Sequence, residues 1–156
     1  MKLHSLLEDD LVVVGLQGRD REAVLGEMVE HLRGLGDIAL GDDLLAKLLE
    51  REALGTTAIG RGIAVPHCRL SGLKGPVLIL GLSRGGVSFG SVDGKDTHVF
   101  FLLVSPLESP NVSLRVLASI AQLSRRSRTL TAKLLRAPTA GEALRVLREE
   151  EDGGHA

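Results

Sequence analysis

The segment Arg51-Glu52-Ala53-Leu54-Gly55-Thr56-Thr57-Ala58-Ile59-Gly60-Arg61-Gly62-Ile63-Ala64-Val65-Pro66-His67 interrupts a helical pattern and starts something else. Before it, Leu44, Leu45, Leu48 and Leu49 fall at helical spacing, in a helix expected to start near Asp42 or Asp43 and to run up to Gly55. After Gly55 that period stops, and two short extended pieces flank a turn bounded by Gly60 and Gly62. Pro66 locks its own φ and pushes Val65 towards an extended backbone, so His67 is expected at the end of a stiff strand that aims its side chain. The glycines let backbone N–H groups come close to a bound molecule. Arg51, at the end of a helix, offers a fork of donors that suits an oxyanion such as phosphate. A neutral imidazole is a good nucleophile near pH 7, so these residue types suggest a histidine working beside an anion. The competing reading is a partly buried histidine that satisfies a local hydrogen bond.

Outward from this segment, strands and helices mix. Leu11-Val12-Val13-Val14, closed by Gly15, reads as a buried strand. Asp20 offers an N-cap to a helix with apolar positions Val24, Leu25, Met28, Val29 and Leu32, ending in the Gly34–Gly36 region. Val77–Leu82 is a strand, Phe89–Gly94 a turn, and Thr97–Val104 the strongest and most central strand. Ser109-Pro110 starts a long helix expected to bury Leu114, Leu117, Ile120, Ala121 and Leu123. Ser127 is expected to cap a helix through Leu130, Leu134 and Leu135, ended by Ala137-Pro138, and Thr139 with Glu142 to cap a last one. The order predicts an α/β fold, a mixed β-sheet with helices, in a single domain spanning 1–156 whose residues 150–156 fray, Glu149 with them.

Composition removes several classes of function. Of 156 residues, 44% are hydrophobic and 25% charged, the balance of a soluble globular protein. Lys plus Arg number 19 against 20 for Asp plus Glu, so no basic excess exists to hold a nucleic-acid backbone. Aromatic residues make up 2% of the chain, with no Trp or Tyr, which leaves little for base stacking. One cysteine allows no internal disulfide and suits a reducing compartment. No signal peptide and no apolar run of membrane-spanning length is present, so a cytoplasmic protein without membrane insertion is expected.

The Arg51–His67 segment resembles the signature of the phosphotransferase-system enzyme IIA domains of the fructose–mannitol class, which include the nitrogen-regulatory enzyme IIA. The matching residues are Arg51-Glu52, Gly55-Thr56-Thr57, Gly60-Arg61-Gly62-Ile63-Ala64 and Pro66-His67; Leu103-Val104-Ser105-Pro106 echoes the family's Leu-Val-Pro strand end. The resemblance covers nearly the whole chain and implies a mixed sheet flanked by helices on both faces, with the active site in a shallow depression at one edge. It implies a phosphotransferase component: His67 accepts a phosphoryl group from HPr, the histidine-containing phosphocarrier. His67 then passes the group to a cysteine of an enzyme IIB, or holds it as a regulatory mark. Arg51 is the implied anion clamp, Thr57 a hydroxyl donor to phosphate, and Gly60, Gly62 and Ser113 further phosphate-binding positions. No metal or cofactor is implied, because the donor is already a high-energy phosphohistidine. A homodimer is compatible with the resemblance, and no fused IIB or IIC segment is expected in a chain of this length. A non-catalytic module of the same fold, docking to a kinase or transporter, is the alternative.

One departure is visible. The family usually carries a second active-site histidine in a His-Leu-x-x-Leu context early in the long helix, where this chain has Ser113-Leu114-Arg115-Val116-Leu117. A serine supplies one hydrogen bond but no cationic imidazole. His98 is read as a structural or rim residue. His67-Cys68 is not read as a metal site, since no second cysteine exists and His4, His31 and His155 lie in unrelated contexts. Gly60-x-Gly62 lacks the third glycine and the helix of a dinucleotide fingerprint. Arg125-Arg126-Ser127-Arg128 is either a solvated helix junction or a docking site for an acidic partner.

Overall fold

The computed structural model describes residues 1–36 and 43–153. Its centre is β6, Thr97–Pro106, whose continuous apolar run is what a strand covered on both faces requires. β5 (Val77–Val87) lies antiparallel on one side of β6, with Leu80 opposite Phe101, and β1 (Val12–Val14) lies parallel beyond it. On the other side β3 (Ile63–Ala64) and β4 (His67–Leu70) both run parallel to β6, and β2 (Ala58–Gly60) pairs antiparallel with β3. The sheet is mixed, in the order β1-β5-β6-β3-β2.

Alternation along β6 sends Val99, Phe101 and Leu103 to one face and Phe100, Leu102 and Val104 to the other. The first face is covered by α3 (Pro110–Arg126), α4 (Leu130–Arg136) and α5 (Ala140–Glu151), the second by α1 (Arg21–Leu35) and α2 (Leu44–Ala53). Helices therefore flank both faces of the sheet. α1 packs so closely that a Cβ at Gly81 of β5 would meet Leu16 Cδ1 at 2.8 Å and Met28 Cε at 2.9 Å.

Local signals placed several boundaries. Asp20 Oδ1 accepts from Ala23 N (2.8 Å), Gly36 ends α1 at φ +74°, and Thr139 Oγ1 accepts from Glu142 N (3.1 Å). Asp42 lies outside the described residues, and Asp43 precedes α2 without capping it. Other expectations are corrected. Pro110 does open α3, yet the Ser109 hydroxyl caps nothing. Ser127 donates its hydroxyl to Glu150, and Thr129 takes the position before α4. The buried stripe of α3 is Ser113, Val116, Ile120, Leu123 and Ser124, while Leu114 is 65% exposed.

The tail expected to fray is instead helical through Glu151, because distant partners hold it. Glu151 Oε2 and Oε1 accept from the backbone N–H groups of Leu3 (2.6 Å) and His4 (2.8 Å), and Glu150 accepts from Lys133 Nζ (3.1 Å) as well as Ser127. Charge-assisted bonds of this kind contribute roughly 1.5–3 kcal/mol each.

Candidate active site

β3 and β4 lie end to end along the same side of β6, with Ala64 opposite Phe100 and His67 opposite Leu103. Val65 and Pro66 interrupt them. Val65 N donates to Thr57 O (3.0 Å) and Pro66 O accepts from Leu103 N (2.9 Å), which holds the interruption in place. His67 thus begins a strand instead of ending one, because pairing resumes immediately after the proline. Val65 O is left outside the ladder and takes the His67 side chain, with Nδ1 at 2.6 Å. A carbonyl oxygen only accepts, so Nδ1 carries the hydrogen and Nε2 keeps the lone pair.

Burial pushes the His67 pKa below its usual 6.5; the Val65 bond acts against this, Arg51 adds to it, and Glu52 opposes. The imidazole is therefore neutral at pH 7. It opens on a depression of about 290 Å³. One wall is Val65, Ile59, Thr56, Thr57 and Arg51; the other is Leu117 and Ala121, two positions on one stripe of α3. Arg51, in the last turn of α2, donates through Nη1 to Gly55 O (2.9 Å), and its planar fork has further N–H groups to offer an anion.

The structure separates the other expected site residues. Thr57 lines the depression, but its hydroxyl proton goes to Glu52 and its N–H to Glu52 Oε2 (3.1 Å), so the expected donation from this hydroxyl to phosphate is corrected. Glu52, 3% exposed, was not anticipated as a brace for this loop. Its signal was its adjacency to Arg51, since neighbours in a helix point about 100° apart and cannot face the same ligand. Gly60 and Gly62, with φ of +90° and +80°, turn the β2–β3 hairpin around Arg61. A Cβ at Gly60 would meet Asp93 Oδ2 at 3.3 Å and one at Gly62 Thr131 Cγ2 at 3.1 Å, so these glycines shape the hairpin tip and do not line the His67 depression. Ser113 lies one turn before Leu117 on the same stripe of α3, is 7% exposed, and is not among the lining side chains. His98 is apart from His67, with Nδ1 donating to Ser83 O (2.8 Å) and its ring against Gly86.

Cys68, beside His67, is a poor nucleophile, because burial pushes its thiol up to about 11. Among the described residues no group of three His, Cys, Asp or Glu could hold a metal ion. None of the described helices is long and apolar enough to cross a membrane.

Known proteins are similar to this chain in sequence and in fold. The chain is 26% identical over 151 residues to the fructose-specific EIIABC component of the phosphotransferase system from Bacillus subtilis, covering 97% of this chain and 24% of that protein. It is 29% identical over 154 residues to the nitrogen regulatory protein of Pseudomonas aeruginosa, covering 98% of this chain and 99% of that one. Among solved structures, nitrogen regulatory protein IIA-Ntr from Neisseria meningitidis superposes with a TM-score of 0.78 at 24% identity, over 93% of this chain and 98% of that one. The family described as "Phosphoenolpyruvate-dependent sugar phosphotransferase system, EIIA 2" matches residues 5–150, and the chain belongs to that family.

Proposed function

We propose that the chain is a phosphoryl carrier that accepts a phosphoryl group on His67 from an HPr-type phosphocarrier. It hands the group to a cysteine of an enzyme IIB or keeps it as a regulatory mark. The observation that carries this reading is the Val65 carbonyl on His67 Nδ1. It fixes one tautomer and leaves Nε2 as the reacting atom. In the transfer, the Nε2 lone pair forms the new N–P bond while the N–P bond of the donor phosphohistidine breaks, its electron pair returning to the donor ring. The His67 Nδ1–H stays on the ring and donates to the Val65 carbonyl, whose oxygen stabilises the positive charge that develops on the imidazole. Arg51 stabilises the phosphoryl oxygens, since phosphoryl transfer depends mostly on positioning and charge. Leu117 and Ala121 on one wall and Ile59 on the other give the depression apolar sides that partly desolvate the reacting groups.

The experiment is phosphorylation by phosphoenolpyruvate, enzyme I and HPr, followed by ³¹P NMR of the product. The expected product is acid-labile, base-stable Nε2-phosphohistidine at residue 67. Absence of label, or label on Nδ1, overturns the reading. Ser113 favours a second one: a family member that docks to partners and does not relay phosphate, which would bind HPr or a target without acquiring label.

A further inference from the structure

A larger cavity, of about 660 Å³, lies at the tip of the β2–β3 hairpin, where α4 approaches it. We propose that it binds a small phosphorylated polyol, with the phosphate on Arg61, Lys95 and Arg128 and the hydroxyl groups on Asp96 and Thr131.

The phosphate end rests on how the cations are held. Arg61 sits at φ +59°, between two glycines that are also left-handed. Its N–H donates to Asp93 Oδ2 (3.0 Å), its carbonyl accepts from Thr131 Oγ1 (2.7 Å), and Nη1 donates to Ser124 O (2.5 Å). Backbone and guanidinium plane are thus both fixed before any ligand arrives, and the other N–H groups of the fork remain. Arg128 makes no ion pair or hydrogen bond among the described residues, although it lines the cavity. Lys95 is the third lining cation. Two carboxylates answer these charges. Asp93 does not line the cavity; Ser91 Oγ (2.7 Å), Lys95 N (3.0 Å) and Arg61 N occupy it and hold its carboxyl down at about 2. Asp96 does line it, so three cations face one carboxylate, and a concave surface of that sign concentrates anions.

The rest of the lining selects the body of the ligand. Thr131 has given its proton to Arg61 O, so its oxygen can only accept, as can the Asp96 carboxylate. His98 Nδ1 is committed to Ser83 O, which leaves Nε2 as the ring nitrogen open to a ligand. Acceptors placed beside cations match a molecule that carries hydroxyl donors as well as phosphate. The remaining wall, Ala132 and Leu135, is aliphatic. Phe89, Phe100 and Phe101 are the chain's aromatic residues, and each is 0% exposed, so no ring is available to stack a nucleobase. The volume falls within the range of small-molecule sites.

The test is calorimetric titration of the full chain with ribose 5-phosphate, ribose, inorganic phosphate and ATP. Ribose 5-phosphate should bind saturably, and about tenfold or more tighter than inorganic phosphate, ribose or ATP. Arg128→Glu should weaken it by a similar factor with unchanged thermal stability, and His67→Ala should leave it unaltered. No saturable binding of ribose 5-phosphate overturns the proposal, as does binding that survives both Arg128→Glu and Lys95→Glu. Loss of binding in His67→Ala places the ligand in the other depression and also overturns it. Equal affinity for inorganic phosphate, or tighter binding of ATP, overturns the polyol assignment.

Discussion

The two ends of the β2–β3 hairpin differ in how they treat charge. At its base, around His67, the walls are mostly apolar, one arginine is present, and burial keeps the imidazole uncharged. At its tip three exposed cations surround a wider cavity that contains no primed nucleophile. A motif read as one phosphate-handling unit is thus divided by the fold. Partial desolvation at the base favours making and breaking an N–P bond, whereas solvated cations at the tip favour reversible binding. The difference shows that glycines and arginines close in sequence need not share a ligand when a hairpin runs between them.

Removing the proposed nucleophile gives the largest contrast. His67→Ala should abolish acid-labile labelling by HPr with the fold intact, as read by circular dichroism. Label persisting on this variant would end the assignment of chemistry to the base of the hairpin. Arg51→Ala comes next. Loss of one charge-assisted contact to the transferring group costs about 2–4 kcal/mol, or roughly two to three decades in rate. Arg128→Glu, at the tip, should leave the rate within about twofold. If the two arginines behaved alike in initial-rate measurements, the division between base and tip would collapse.

Thr57→Val separates bracing from chemistry. The variant strips a hydroxyl donor from the buried Glu52 carboxylate, so stability should fall by about 1–3 kcal/mol in urea unfolding. The rate of the folded protein should change little, because that hydroxyl is not available to phosphate. A large loss of rate at unchanged stability would return Thr57 to the phosphate.

Whether such residues could be read from sequence depended on how far away their partners lie. Asp20, Gly36, Pro110 and Thr139 declared helix ends because their partners are within four residues. The run through Phe100 and Phe101 declared the central strand because its continuous apolar pattern is itself local, although its ladder partners in β5, β3 and β4 are distant. Glu151 could not declare itself, since a carboxylate in a run of acids looks like a solvated tail until Leu3 and His4 arrive from the other end of the chain. The apolar residues of α3 mislead, because Leu114 faces out at 65% exposure and Leu117 lines the His67 depression, while Ser113 and Ser124 are buried. At the candidate site, the motif made legible that His67 and Arg51 lie close together, and both line one depression. Glu52 braces Thr57 only five residues on, whereas the splitting of the glycine turn from the histidine depends on tertiary placement.

The pH dependence sharpens the contrast at its midpoint. Because the folded His67 pKa lies below 6.5, the unfolded chain binds more protons between the two values. Stability from this group is complete above 6.5 and declines as pH falls through that window. The neutral nucleophile likewise persists below 6.5, so the acid limb of the transfer rate should lie below that value and fall about tenfold per unit beyond it. An acid limb above 6.5 in a pH–rate profile would mean that His67 is not desolvated in the working protein. In Arg51→Ala the limb should move upward, because Arg51 lowers this pKa.

The smallest expected effect concerns Ser113, one turn before Leu117 on the helix that walls the depression. Ser113 occupies the first turn of α3, whose N-terminal N–H groups receive no cap from Ser109 and carry partial positive charge. The helix therefore already supplies part of the attraction for an anion that a second imidazole would give. In Ser113→His the longer side chain starts from the stripe that brings Leu117 and Ala121 to the depression, and its added positive charge is partly screened. The gain should be about 1 kcal/mol at most, or roughly fivefold in initial phosphorylation rate at equal HPr. Crowding acts against it, because Ser113 is 7% exposed and the ring must displace neighbours. Thermal melts of the same variant separate the two contributions: a faster rate with a lowered melting temperature fits both. A neutral or slower rate at unchanged stability would show that position 113 does not communicate with His67. In that case the strand side alone carries the chemistry.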